Sequence, residues 1–516
     1  MSDQPLPKPA LRTLGSLCFC AALDAADFVM LPGKHYIAKM ILYDRWVYVG
    51  STLQRIAIHA GMFRAFQTDF GTDLSDIGFM YLLQCLVGSF AMPAWGGLGD
   101  RMSRKWLLCI GCFAWGLLTM GCAASTTFMQ FTMFRTLAAV FMSLVSPIAQ
   151  SVVADLAPSE TRGSLFGQIG FVALIGAFLG QFMSTALAEK HPLGIRGWRL
   201  CLGVVGILSI LFPFAMAFLM VEPRRRRAAE LAREQSRNKF LGIDWPSLQL
   251  ASFWLLVLQG VFGCIPWRAF GMFSILWLEL IGYSSFQVAI IGGVGMIASA
   301  IGHLMAGYIG DYAHSVIPYR GRVYTAQFSV AVGMVLVFFL FLVLPKDTAH
   351  MMLFCFIIVL FNLTATWSGN ATNRPLIADV VPEWSRASIY SYFSMMENVP
   401  SAFGGYVVSY LAEKMFGFKT GGPHGRPNIN GMDDAERNRN VNALTYSLTI
   451  MTLVPWTLTF IAYGFMTRTY ESDVEKTIRR ARKVAESHSL RDGDEELDSD
   501  GSELDKVQLL AEGRRG

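Results

Sequence analysis

Gly96-Gly97-Leu98-Gly99-Asp100-Arg101-Met102-Ser103-Arg104-Lys105 is a glycine-rich, charged turn set between two long apolar runs. Three cations and a carboxylate this close together resist entry into lipid, so the chain must leave a membrane here and turn back. Glycines at 96, 97 and 99 carry no Cβ and let two backbones approach closely. The stretch reads as a tight hinge between two membrane helices.

The sequence on either side has the composition that reading requires. Of 516 residues, 53% are hydrophobic and only 16% charged, and the apolar residues come in blocks. Trp106 to Ala124, Phe166 to Leu187, Leu200 to Met220, Val288 to Ile309, Phe328 to Leu344 and Met351 to Thr366 are each near the roughly 20 residues that cross a bilayer as helix. The expected fold class is an all-α polytopic membrane protein of about twelve transmembrane helices in two six-helix bundles. Residues 1–10 form a polar tail, 11–221 the first bundle, 222–244 a basic linker opened by Arg224 to Arg227, 245–468 the second bundle and 469–516 a partly disordered tail. Residues 34–60 mix Lys34, Lys39, Arg45 and Arg55 with aromatics and read as an atypical insertion. The apolar run after Arg12 carries Asp24 and Asp27 and reads as an uncleaved first span.

A repeat supports two related bundles. Ala154-Asp155-x-x-Pro158-x-x-x-Arg162-x-Ser164 returns as Ala378-Asp379-x-x-Pro382-x-x-x-Arg386-x-Ser388, each position 224 residues further on. Gly307-Tyr308-Ile309-Gly310-Asp311, followed by Arg320 and Arg322, is a weaker echo of the opening turn. With alternating spans, Arg101, Arg104, Lys105, Arg162, the Arg224 run, Arg320, Arg322 and Arg386 fall on one side. The excess of cations marks that side, and both termini, as cytoplasmic. The net charge of +5 is thus a matter of topology and does not point to nucleic acid.

Several chemistries find no support. No Gly-x-x-x-x-Gly-Lys-Ser/Thr occurs, which argues against an ATP-driven pump. Cys109 and Cys112 lie inside an apolar span and read as packing, and Gly293-x-Gly295-x-x-Ala298 has no preceding strand to make it a dinucleotide site. With no nucleophile or metal constellation, the chain reads as neither an enzyme nor a cofactor protein.

Gly-x-Leu-x-Asp-Arg-x-x-Arg-Lys between spans two and three, its echo between spans eight and nine and the duplicated halves resemble the major facilitator superfamily over nearly all of residues 10–470. Ser103 stands where the signature usually has Gly. The resemblance implies a charged latch of Gly96, Asp100, Arg101, Arg104, Asp155, Arg162, Asp311, Asp379 and Arg386. It also implies that Asp100 faces the start of the eleventh span and helps hold an outward-facing state, with Arg104 pairing with Asp100 or Asp155. Gly-Asp-Arg-x-x-Arg-Lys, then Arg135, then Ala154-Asp155-Leu156 is similar to spinster-like lipid transporters, although Met142 replaces an acidic residue typical of that group.

Ionisable groups inside spans are costly unless paired or wetted, which makes them candidates for transport work. Asp24 and Asp27 are three apart and share a helix face in span one. Arg135 in span four is a gate or proton-linked partner for Asp27, or a static pair with it. Glu397, near mid-membrane in span eleven, is a candidate for proton coupling, substrate contact or a structural hydrogen bond. Arg268, toward the outer end of span seven, either attracts an anionic substrate or snorkels to the interface. His303 reads as a hydrogen-bonded core residue in preference to a relay, and Asn370, Asn373 and Arg374 as end caps of span ten in preference to binding residues.

The expected function is secondary transport of a small organic solute by alternating access, with proton coupling as a further possibility. A non-transporting sensor on the same scaffold and a lysolipid or sphingolipid transporter remain alternatives. The expected location is multi-pass in the plasma membrane or an endolysosomal or vacuolar membrane. Asp505, Leu509 and Leu510 in the tail match an acidic dileucine pattern for a sorting adaptor.

Overall fold

The computed structural model describes residues 69–72, 74–156, 159–187, 194–219, 245–419 and 433–489. Asp24, Asp27, the insertion 34–60, the linker 222–244 and the tail positions Asp505, Leu509 and Leu510 lie outside the described residues. Among those described the chain is helical, and no strand forms.

The first bundle contains α1 (Leu74–Arg101), α2 (Arg104–Ala124), α3 (Phe128–Met142), α4 (Val145–Leu156), α5 (Arg162–Leu187) and α6 (Gly197–Leu219). The second contains α7 (Ala251–Ile281), α8 (Ser285–Val316), α9 (Gly321–Phe338), α10 (Met351–Thr364), α11 (Arg374–Val380), α12 (Arg386–Ser401), α13 (Gly404–Tyr410) and α14 (Asp434–Ser489). Nine helices among the described residues are long and apolar enough to cross a membrane by length and composition. Their outer faces display Phe79, Phe90, Met129, Leu208 and Met352. A water-soluble surface rarely presents so many large apolar side chains, whereas lipid accepts them.

Local sequence sets the helix ends. Thr127 caps α3 by accepting from the Gln130 N–H at 3.3 Å, and Ser284 with Gln287 forms a capping box on α8. Gly282 closes α7 at φ 114°, a left-handed geometry that glycine adopts without a Cβ clash. The hinge motif straddles two helices: α1 ends at Arg101, and α2 starts three residues later.

Two apolar spans are interrupted at matching places. α3 gives way to α4 at Ser143 and Leu144, while α10 reaches α11 through a wide π segment at Ser368–Asn373. Position 144 plus the 224-residue repeat falls at 368, so the breaks correspond. Interrupted helices at equivalent places in two bundles point toward a mid-membrane site in transport proteins.

The bundles meet along two seams, α1 against α12 and α8 against α5. A Cβ added at Gly96 would lie 2.7 Å from the Ala387 carbonyl oxygen, and one at Gly307 would lie 2.6 Å from that of Gly163. Only glycine permits those two approaches. Within the second bundle, Trp277, Phe341, Phe354, Phe361 and Trp456 form an aromatic core, with Trp277 edge-on to Phe341 at 4.9 Å.

Candidate functional site

The first N–H groups of a helix have no acceptor within it and carry partial positive charge. At the start of α12 that deficit is met from the other bundle. Asp100 accepts hydrogen bonds from the Ala387 N–H at 3.2 Å, the Ser388 N–H at 2.9 Å and the Ser388 hydroxyl at 2.5 Å. The start of α5 is met in the same way from the opposite direction, Asp311 accepting from the Gly163 and Ser164 N–H groups at 2.9 and 2.6 Å. Each carboxylate sits one turn beyond the glycine that makes its seam tight.

Guanidinium groups tie these caps into two related networks. Arg104, fully buried, donates to Asp155 and lies 3.7 Å from Asp100, so it engages both carboxylates. Asp155 also accepts from Arg386 of the second bundle at 2.5 Å. In the mirror arrangement Asp379 accepts from Arg162 of the first bundle and, at 3.3 Å, from Arg322 of its own, while Arg322 reaches Asp311 at 2.8 Å. Arg162 also donates to the Ala154 carbonyl and Arg386 to the Ala378 carbonyl, both at 3.2 Å. Each arginine thus grips its own repeat through a carbonyl and the other bundle through a carboxylate. Charge-assisted bonds of this kind contribute about 1.5–3 kcal/mol each. Gly96, Asp100, Arg104, Asp155, Arg162, Asp311, Asp379 and Arg386 come together at this end of the molecule, while Arg101 is exposed beside them.

One member of the cluster carried no sequence signal. Tyr470 donates to Asp379 at 2.9 Å from α14, which continues without a break into the stretch expected to begin the tail. Thr477, a further two turns along, donates to the Val380 carbonyl at 3.0 Å. A helix that runs from the last span past the charged end has no composition change to announce such contacts.

Deeper in the second bundle lies a separate polar cluster. Glu397 is 6% exposed and accepts from Arg374 at 3.1 Å. Asn373 donates to Gln259 at 3.1 Å, and the Tyr463 hydroxyl lies 2.6 Å from the Asn373 oxygen and 2.8 Å from that of Gln259. Asn373 and Arg374 therefore point into the bundle, which corrects their reading as end caps. The wide π segment at Ser368–Asn373 departs from the α period and so changes the face that this stretch presents. Arg268 joins the bundles farther along, donating to the Tyr81 hydroxyl at 2.8 Å and to Asn398 at 2.7 Å.

The remaining candidates are placed more simply. Arg135 is fully buried in α3, and its expected partner Asp27 lies outside the described residues, as does Asp24. His303 is bonded through Nδ1 to the Ser299 carbonyl of its own helix at 2.9 Å. Cys109 and Cys112 are buried free thiols.

The Protein spinster of Drosophila melanogaster is 26% identical over 166 residues, which are 32% of this chain and 27% of that protein. The chain thus spans little more than a quarter of the length of this curated relative. A bacterial homologue of the human lysosomal transporter spinster, solved in an inward-facing and occupied conformation, matches with a TM-score of 0.58 at 18% identity, over 85% of this chain and 98% of that one. The proton:xylose symporter XylE matches with a TM-score of 0.60 at 15% identity, over 84% of this chain and 96% of that one. These two likenesses show the fold, and the spinster matches agree with the resemblance carried by Asp100 to Lys105 and Ala154 to Leu156. The family model of the Major Facilitator Superfamily matches residues 47–413. Most of the sequence falls inside that match, and the chain, an integral multi-pass membrane protein, belongs to the Major Facilitator Superfamily of transporters.

Proposed function

We propose that the protein is a secondary transporter that moves a small organic solute by rocking two helical bundles about a mid-membrane site. The observation that carries this reading is the reciprocal pair of caps, Asp100 on α12 and Asp311 on α5. A permanent interface is normally sealed by apolar packing. Here the two bundles are held at one end by paired carboxylates, guanidiniums and helix termini that water can replace when they part. Such contacts suit an interface that opens and closes.

The charged end is assigned to the cytoplasmic side, because the loops there carry Arg101, Arg104, Lys105, Arg320 and Arg322. The state described is then closed toward the cytoplasm, and Asp100 and Asp311 act as latches, not as substrate ligands. Proton coupling is assigned to Glu397 with Asp24 and Asp27, as carboxylates placed within spans. Uptake driven by a pH gradient should fall when all three are neutralised, and unchanged uptake would remove that assignment. An endolysosomal membrane fits the solved relative's description as a homologue of a lysosomal transporter.

Counterflow in proteoliposomes tests the reading. Sugars, organic anions, amino acids and lysolipids that stabilise the purified protein are loaded inside, and exchange with labelled external solute is followed. A transporter exchanges at least one stabilising solute. A sensor built on the same scaffold binds without exchange, and that result would replace the transport reading.

A further inference from the structure

Arg374 is poorly served by its surroundings. It opens α11 directly after the π segment, with Pro375 behind it and the Phe393 ring 4.9 Å from its guanidinium carbon. Among the described residues only Nη2 has a charged partner, Glu397 at 3.1 Å, while the buried Nε and Nη1 have no hydrogen-bond acceptor. A guanidinium offers five N–H donors in a rigid fork that matches two oxygens of one oxyanion. A single bond to one carboxylate oxygen uses little of that capacity, and buried donors left without acceptors are unfavourable.

Its position suits a ligand. Glu397 is the twelfth residue of α12, about 16 Å from the charged end at the rise of an α-helix and so near the middle of a bilayer roughly 30 Å thick. The first-bundle position that matches Arg374, 224 residues earlier, holds the uncharged Gln150. Asn373, Gln259 and Tyr463 satisfy one another beside the arginine, so the unmet donors belong to Arg374.

We propose that Arg374 is the anion receptor of the transport site and that Glu397 is its internal stand-in. A carboxylate or phosphate group of the substrate binds Arg374 by displacing Glu397, filling donors that Glu397 leaves unmet. This inference rests on the transporter reading and names the substrate class, an organic oxyanion, either a free solute or the headgroup of a single-chain lipid. Glu397 is here a positioning residue that acts through the arginine.

The test uses the purified full-length protein with inorganic phosphate, succinate and a lysophosphatidic acid as oxyanion probes and xylose as a neutral control, binding being read by calorimetry. Glu397→Gln removes the competitor and is expected to tighten oxyanion binding about tenfold, as when a site blocked nine-tenths of the time is freed. A gain in affinity is not what a merely structural residue yields on substitution. Arg374→Gln combined with Glu397→Gln leaves no unpaired charge behind, so this variant should fold and yet bind none of the probes. Binding of lysophosphatidic acid alone assigns a lipid headgroup, and binding of phosphate or succinate assigns a free anion. The proposal is overturned if no oxyanion binds the wild type or Glu397→Gln, if Glu397→Gln weakens binding, or if the double variant binds as the wild type does. Counterflow separates it from the broader reading. Oxyanions that bind through Arg374 without exchange overturn transport and leave the site, whereas a double variant that exchanges an oxyanion at the wild-type rate overturns the site and leaves transport.

Discussion

Asp311 accepts a hydrogen bond from the Ser164 N–H at 2.6 Å, across the seam between the two bundles. Asp100 makes the equivalent bond to Ser388 at 2.9 Å, so the weaker sequence motif of the second bundle forms the same contact as the stronger one of the first. Both carboxylates face a helix N-terminus, where a negative charge is favoured by the helix dipole and by N–H donors with no other acceptor. The charged end is thus held by two inter-bundle contacts of similar construction.

If both latches act on the conformational equilibrium, Asp100→Asn and Asp311→Asn should have similar effects. Each keeps an acceptor oxygen and loses the charge, which weakens the closed state by about 1.5–3 kcal/mol, or roughly tenfold or more in population. Exchange rates measured by counterflow should fall by about that factor with substrate affinity little changed. Normal turnover with weakened binding would contradict the latch assignment.

Close approach at the seams leads to a second expectation. Gly307→Leu would drive a side chain into the Gly163 backbone, which cannot retreat without separating α8 from α5. The charged end should open, and a cysteine placed at Ser164 should react faster with a water-soluble maleimide than in the parent protein. Equal reactivity would show that the seam tolerates the added volume.

Charge burial predicts a contrast in stability. Asp379 serves Arg162, Arg322 and Tyr470 together, so Asp379→Ala strands buried donors and should cost about 3–5 kcal/mol in thermal or denaturant unfolding. Arg479 pairs with Glu475 at 3.0 Å on an exposed helical face, and Arg479→Ala should change stability by no more than about 0.5 kcal/mol. Comparable losses would refute the assignment of the Asp379 network as the buried one.

Outside the membrane, Asp347 caps the approach to α10, accepting from the Ala349 and His350 N–H groups at 3.0 and 3.2 Å and from the His350 ring at 2.6 Å. The side-chain bond from His350 holds its carboxyl below the usual carboxylate range. A depressed native value stabilises the fold above the ordinary aspartate pKa, and the benefit is lost as pH falls through the native value. The stability gap between wild type and Asp347→Asn should therefore be full near neutrality and close in acid. A gap that widens as pH falls would have the wrong sign.

Much of the fold was legible because lipid imposes a simple rule, that apolar runs of sufficient length become helices. The 224-residue repeat makes Asp155 equivalent to Asp379 and Arg162 to Arg386, since duplicated sequence places equivalent residues at equivalent points. What stayed hidden depended on helix faces and long-range neighbours. Arg374 and Glu397 are both visible in the sequence, but they lie on different helices, α11 and α12, and the π segment at Ser368–Asn373 breaks the period that would fix the face Arg374 occupies. Gly369 and Pro375 in an otherwise apolar span were the available signals of that break. Tyr470 gave none, since α14 runs through the expected tail boundary without a glycine or proline to mark its end.

The central claim is that the bundles separate at the end carrying Asp100 and Asp311. Spin labels at Met102 and Val316, exposed positions on opposite bundles, would report that distance by pulsed electron resonance in nanodiscs. The account predicts a short and a long distance in the wild type, with the Asp100→Asn, Asp311→Asn double variant moved to the long one. A single short distance, unchanged in the double variant, would contradict it.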